Sequence, residues 1–453
     1  MSKDPLIDPR ILTQFKDRLS KIDTVTRKGR ITKVVGLIAE AEAPPVPIGE
    51  LMWTLPFAGE KKLLEVVGFQ EGRVLLMSYD DLDGVWAGME IAPSGLTLRI
   101  PDPVKMVGRV VDGLAKPMDN GPELIPEYEV NVNGQGLHPL TRPRITKVLS
   151  TGIKSIDGFN TIGQGQKLGI FSGSGVGKSI LLGMIARYTS ADLNVIALIG
   201  ERGKEVREFI EKDLGADGLK RSVVVVATSE QSALKRIKGA IIAMQIAQEL
   251  RSRGKHVLFL MDSLTRFAQA GREIGLAAGE PPATRGYPPS VFSRIPKLLE
   301  KVGPSDKGSV TGIFTVLVEG DDLNEPISDA SRSVLDGHIV LSRELAYQNH
   351  YPAVDVLGSI SRVMKDISDS ETNNATARLR EILANYMAAK DLISVGAYKA
   401  GSDPKIDLAI KMMPDINAFL KQPIDEKWTY EKTHDALVKL VPVPEKQNGD
   451  SPR

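Results

Sequence analysis

The run Gly173-Ser174-Gly175-Val176-Gly177-Lys178-Ser179 contains the residue types that a phosphate cradle needs. It follows the apolar segment KLGIF and opens a segment of helical pattern. Glycines let successive backbone N–H groups converge on phosphate oxygens, and a helix N-terminus adds a favourable dipole. Lys178 is then placed to reach the β and γ phosphates of a nucleoside triphosphate, and Ser179 to offer its hydroxyl to Mg²⁺. The strict pattern has glycine six residues before the lysine, where this chain has Ser172. If that position required a positive φ, serine there would cost about 1–2 kcal/mol. The bland reading of the run is a glycine-rich turn that merely joins a strand to a helix.

Two carboxylates stand where such a loop would use them. Asp262 ends the apolar run HVLFLM, the place from which a second contact to Mg²⁺ is delivered, although aspartate also ends strands for turn reasons. Glu201, followed by Arg202, comes directly after NVIALIG. Hydrolysis needs a carboxylate to orient and polarise water, and Glu201 is suitably delivered. Without the loop it would read as a surface acid.

The elements that must position these groups are legible in outline. The apolar runs KLGIF, NVIALIG, SVVVVAT, HVLFLM, TGIFTVLV and HIVLS alternate with helical segments such as 179–189 and 233–253. That alternation predicts an α/β fold with a mostly parallel sheet over residues 101–365. Before it, 27–100 shows short β-prone runs separated by Gly, Pro and Asp, the pattern of a small β barrel. After it, 366–453 reads as a helical domain with a frayed tail. Residues 1–26 carry Ile11, Leu12, Phe15, Leu19 and Ile22 on one helical face, suited to a partner or to packing on the chain's own domain.

Composition narrows the function classes. The net charge is +1, and the barrel region has eight Lys and Arg against ten Asp and Glu, so neither the chain nor the barrel has the basic field of a nucleic-acid groove. The absence of cysteine excludes disulfides and cysteine zinc sites and fits a reducing compartment. No apolar run approaches the roughly 20 residues that span a bilayer, and the first residues are not of signal-peptide type, so a cytoplasmic location is expected.

Beyond these signals, GRVVDGLAKPMD, GERGKEVREF, MDSLTRFAQA, GEPPATRGYPPSVF, VLVEGDDLNEPISD, HYPAVDVLGSISRVM and VGAYKAGSDPKID resemble the rotary ATPase superfamily. The resemblance covers Gly29 to Gln422 and is strongest to its type III protein export branch, the flagellar export ATPases above all. It implies a RecA-like P-loop core with an N-terminal β barrel and a C-terminal helical domain, hydrolysing ATP with Mg²⁺. By the same resemblance Glu201 matches the catalytic carboxylate and Arg202 a phosphate-contacting neighbour. Asp262 matches the Mg²⁺-side acid, Arg362 an arginine finger reaching into the neighbouring subunit, and Tyr351 the aromatic that stacks on adenine. Ser172 and Gly271 depart from the family pattern, the latter where a long polar side chain is expected, and SEQSALKRIKG also differs.

The resemblance further implies a homohexamer, since Lys178, Glu201 and Arg362 in one chain provide both halves of an interfacial site. Its implied partners are a stator-like regulator at the N-terminal helix, a central-stalk-like protein, an export-gate membrane protein, and export substrates with their chaperones. The implied location is peripheral, at the export apparatus of the inner membrane, without nucleic acid. An injectisome ATPase and an ATP synthase β-type subunit are the nearest alternatives. A vacuolar-type catalytic subunit would need an insertion for which the stretch between the barrel and Gly173 has no room. A nucleotide-dependent scaffold without turnover is the reading from outside the enzymes.

Overall fold

The structure, a computed structural model, describes residues 27–441 except Ala58, 125–129, 132–137, Glu319 and Asp321. The amphipathic segment 1–26 and the tail beyond 441 lie outside the described residues. The chain divides into two compact units, ending and starting at Leu98 and Arg99.

In the first unit six strands form a closed antiparallel barrel. They are β1 Gly29–Val35, β2 Ile38–Glu42, β3 Glu50–Leu55, β4 Leu63–Gln70, β5 Arg73–Ser78 and β6 Glu90–Thr97. The order is β1–β2–β5–β4–β3–β6, closed by β6 pairing with β1. Alternation along the strands turns Ile31, Ala39, Ala41, Met52, Leu64, Val66, Leu76 and Ile91 into one buried cluster. Closure leaves no open sheet edge.

The second unit is built on a nine-stranded sheet. Its main strands are β7 Val110–Asp112, β8 Lys167–Ser172, β9 Leu193–Ile199, β10 Ser222–Ala227, β11 His256–Asp262, β12 Ser309–Leu317, β13 Gly337–Leu341 and β14 Val354–Ser361. The order is β14–β13–β8–β12–β11–β9–β10–β7, with Gly303–Pro304 pairing antiparallel to β12. These eight strands run parallel except β14, antiparallel to β13 at the edge. The six apolar runs expected as strands are all present, and the central ones are buried on both faces, as a sheet covered by helices requires. Neither β7 nor β14 was expected. Three residues are too few for a periodicity, and β14 mixes buried with exposed positions because it lies at the edge.

The helices that matter for the site are α1 Lys178–Tyr188, α2 Gly203–Glu208, α3 Ala233–Ser252, α4 Leu264–Ala277 and α5 Pro289–Leu299. The SEQSALKRIKG segment has a clear job here. The Ser232 hydroxyl caps α3 by accepting from the Lys235 N–H at 3.2 Å, Lys235 pairs with Asp112 of β7 at 3.0 Å, and Arg236 pairs with Glu273 of α4 at 2.6 Å. The segment therefore ties α3 to the sheet edge and to α4. Gly271 is explained by close packing, since a Cβ there would lie 3.3 Å from Val291 Cγ2 of α5. A side chain there would need the Val291 methyl group to give by a few tenths of an ångström.

Three further helices follow, α6 Ser370–Ser394, α7 Pro404–Leu420 and α8 Tyr430–Leu440, capped by Asp369, Asp403 and Thr429. Their buried residues Leu379, Ile382, Leu383, Ile416, Phe419 and Leu437 belong to the same hydrophobic cluster as Ile156, Phe159, Leu168 and Ile170. Phe159 and Phe419 meet edge to face at 6.2 Å. Just after α7, the buried Gln422 side chain accepts from the Lys154 N–H at 2.8 Å and donates to the Gly152 carbonyl at 2.8 Å. Its own backbone N–H donates to the Tyr351 carbonyl at 3.0 Å.

Candidate functional site

The site forms where strands β8, β9 and β11 end on the same edge of the sheet, the edge at which open α/β sheets bind ligands. Ser172 is the last residue of β8, and its carbonyl accepts from the Val318 N–H at 3.0 Å. Among the described non-glycine residues positive φ occurs at Glu71, Ala115, Arg285 and Asn349, so Ser172 carries no left-handed penalty. The chain turns into α1 through Gly175 at φ 79° and Gly177 at φ 86°, conformations in which an L side chain would be strained. Val176 between them is buried in the core and anchors the turn, while Ser174 is exposed. Lys178 and Ser179 follow as the first residues of α1.

β11 delivers Asp262, and its neighbour β12 supplies Thr315, whose hydroxyl donates to Asp262 Oδ1 at 2.6 Å. The same oxygen accepts from Lys178 Nζ at 2.5 Å. β9 delivers Glu201, with Oε1 3.7 Å from Lys178 Nζ. The turn before it depends on Gly200 at φ 74°, because a Cβ there would stand 2.7 Å from Arg266 Cβ. Lys178, Glu201 and Asp262, far apart in the sequence, thus form one partly buried cluster.

The electrostatics set their working states. Burial disfavours the Lys178 ammonium, but Asp262 and Glu201 outweigh it and raise its pKa, so the cation is firmly held. Burial, and then the charge of Asp262, push the Glu201 carboxyl up to about 7, against the pull of Lys178. A carboxyl near neutrality can both accept and return a proton, the property of a general base. Ser179, Glu201, Glu205 and Asp262 line one small cavity walled by Leu198, Val206 and Phe209. Its hydroxyl and carboxylate oxygens suit a hard cation that keeps several ligands from water and phosphate. Among the described residues no three His, Cys, Asp or Glu converge as a protein-only metal cage, which such a cation does not need.

The other expected residues are placed differently. Tyr351 is half-exposed, and a Cβ on Gly177 would lie 3.3 Å from its Cε1, so the ring stands beside the phosphate loop. The Arg202 side chain extends into solvent near Glu205 at 3.8 Å, outside the lysine cluster. Arg362 is exposed just beyond β14, its backbone N–H donating to the Asp336 carbonyl at 3.0 Å, and it does not enter the cluster of its own chain. Sequence reasoning missed Thr315 and Glu205. A polar residue inside the apolar TGIFTVLV run was the available signal for the first, and the second lies one helical turn past Glu201.

Residues 152–361 match the ATP synthase alpha/beta family, nucleotide-binding domain, and 368–439 match the T3SS EscN ATPase C-terminal domain. The flagellum-specific ATP synthase of Bacillus subtilis (strain 168) is 49% identical over 94% of this chain and 98% of its own length. The assembled ATPase EscN of the enteropathogenic E. coli type III secretion system superposes with a TM-score of 0.87 at 43% identity, covering 91% of this chain and 99% of that one. EscN in complex with its central stalk EscO gives a TM-score of 0.84 at the same identity and coverage.

Proposed function

The chain belongs to the ATP synthase alpha/beta family, and from that premise we propose that it is an ATP hydrolase whose turnover energises type III protein export, in flagellar assembly. The observation that carries this reading is the meeting of Lys178, Glu201 and Asp262 at the end of a phosphate loop, in a chain with end-to-end similarity to a flagellum-specific ATP synthase.

The backbone N–H groups of Gly173 to Ser179 cradle the β and γ phosphates, and Lys178 neutralises the charge between them. Mg²⁺, held through the Ser179 hydroxyl and on the Asp262 side, would neutralise phosphate charge there. Glu201 orients and polarises the attacking water, and Tyr351 takes the adenine on its ring face. Arg202 turns in from solvent when phosphate is present, and Arg362 completes the site of the next subunit in a homohexameric ring. That ring follows the assembled EscN relative, and a central-stalk-like partner follows the EscO complex. The segment 1–26 would dock a stator-like regulator. The ring would sit peripherally at the inner membrane beside the export gate, receiving substrates and chaperones. No helix among the described residues is long and apolar enough to cross a membrane.

Purified protein should release orthophosphate from ATP in steady state, with activity per chain rising with concentration as rings assemble, and chelation of Mg²⁺ should stop release. Stoichiometric binding of ATP with no release under any of these conditions would leave a nucleotide-dependent scaffold instead. Tyr351→Ala should raise KM for ATP roughly tenfold with little change in kcat, since stacking a base on an aromatic ring is worth about 1–3 kcal/mol. An unchanged KM would place the adenine elsewhere.

A further inference from the structure

Arg362 leaves the sheet at the end remote from the phosphate loop of its own chain. β8 and β13 run parallel and β14 returns antiparallel, so Ser361, the last residue of β14, pairs with Gly337 at the start of β13. The phosphate loop follows the other end of β8, roughly 17 Å away at about 3.3 Å per residue.

A polar side chain is sealed in at that remote end. Gln166, one residue before β8, is completely buried. Its amide oxygen accepts from the Gly163 N–H at 2.9 Å, and its amide nitrogen donates to the Asp336 carbonyl and to the Ser361 hydroxyl, each at 3.1 Å. Only this orientation of the amide answers a backbone N–H on one side and a backbone carbonyl on the other. The Ser361 hydroxyl donates in turn to the Thr161 carbonyl at 2.8 Å. The Asp336 carbonyl also accepts from the Arg362 N–H at 3.0 Å, while its carboxylate accepts from the Lys167 N–H at 3.0 Å. One amide thus holds both the side chain of Ser361 and the carbonyl to which the main chain of Arg362 is bound. β13 and β14 already pair through their own main chains, so the amide adds no bond to that ladder. What it adds is a fixed exit for the chain at Arg362. We infer that Gln166 is a positioning residue for the arginine finger, setting the point from which the Arg362 side chain enters the site of the neighbouring subunit. The inference rests on the reading of Arg362 as that finger. A cation that must meet a phosphoryl oxygen across an interface is only as well placed as its own backbone, and a misplacement of about 1 Å can cost about 10²-fold in rate.

The test is a double-mutant cycle on assembled rings of the full chain, with phosphate release followed from γ-labelled ATP at saturating Mg²⁺. Gln166→Met keeps the length of the side chain and removes its amide. It should lower kcat by about 10²-fold and leave KM for ATP within about 2-fold, because the chain's own phosphate loop is untouched. In an Arg362→Ala background the same substitution should change kcat by less than about 3-fold, since no finger is left to misplace. A role confined to stability would lower both backgrounds alike. Sedimentation identifies the variants that assemble, and thermal melts those that fold. If Gln166→Met fails either check, Ser361→Ala carries the cycle: it removes one of the two contacts of the amide nitrogen and should lower kcat by about 10-fold, again only where Arg362 is present. Wild-type kcat in the folded, assembled variant, equal losses in the two backgrounds, or a raised KM at unchanged kcat would each overturn the inference. Full activity of Arg362→Ala by itself would instead remove the finger, and with it this role for Gln166.

Discussion

Arg362→Ala is expected to bind ATP with nearly unchanged affinity and to hydrolyse it about 10³- to 10⁵-fold more slowly. The reason is the placement of this side chain. Arg362 is exposed beyond the edge strand β14 and stays out of the cluster made by Lys178, Glu201 and Asp262 of its own chain. A cation is needed when negative charge spreads over the transferring phosphoryl group, and in a ring it can arrive from the neighbour. Mixing inactive Lys178→Ala with inactive Arg362→Ala tests the direction of supply. Wherever an Arg362→Ala subunit provides the loop and a Lys178→Ala subunit the finger, one interface is intact, so partial activity should return unless turnover requires every site. Full activity of Arg362→Ala at a dilution where the protein is monomeric would exclude a finger acting between subunits.

Glu201→Gln should retain ATP and lose about 10²- to 10⁴-fold in kcat, the usual worth of a positioned general base. The carboxyl raised to about 7 adds two pH signatures. As a base Glu201 must be ionised, so the wild-type kcat/KM should rise through about pH 7, and the variant should lack that limb. The stability effect has the opposite sense. The folded chain holds this proton up to about 7 while the unfolded chain releases it near 4.5, so wild type loses stability as pH rises through that window. The melting temperature of Glu201→Gln relative to wild type should therefore climb between pH 5 and pH 8. A variant that hydrolyses ATP at the wild-type rate would remove Glu201 from the chemistry.

What was legible in the sequence follows from how each feature is encoded. The central strands announced themselves because burial on both faces demands uninterrupted apolar runs; Glu201 and Asp262 directly follow two of those runs, and Lys178 follows a third after the glycine-rich loop. Glycine at 175 and 177 was forced by the left-handed backbone there. Ser172, which looked like a departure, sits in ordinary extended strand, a property of φ that no residue type reports alone. Gly271 and SEQSALKRIKG were opaque for a different reason. Their meaning lies in partners distant along the chain, Val291 for the first and Asp112 and Glu273 for the second. The roles proposed for Arg362 and Tyr351 rest on resemblance alone, since neither an exposed arginine nor a tyrosine before proline carries a local signature.

The bonds made by Gln422 bear on how exchangeable the parts of this chain are. One residue at the end of α7 grips Gly152 and Lys154 ahead of the phosphate loop and the carbonyl of Tyr351 beside it, while the helices behind it bury their apolar faces in the cluster that supports the sheet. The C-terminal helices are therefore not a module that can be grafted from a relative by cutting at a linker. A chimera joined near residue 368 would inherit a mismatched seam unless the Gly152–Lys154 turn, Phe159 and the Tyr351 loop travelled with it. The same bonds tie the Tyr351 loop to the chain just after α7, so the two are expected to move together.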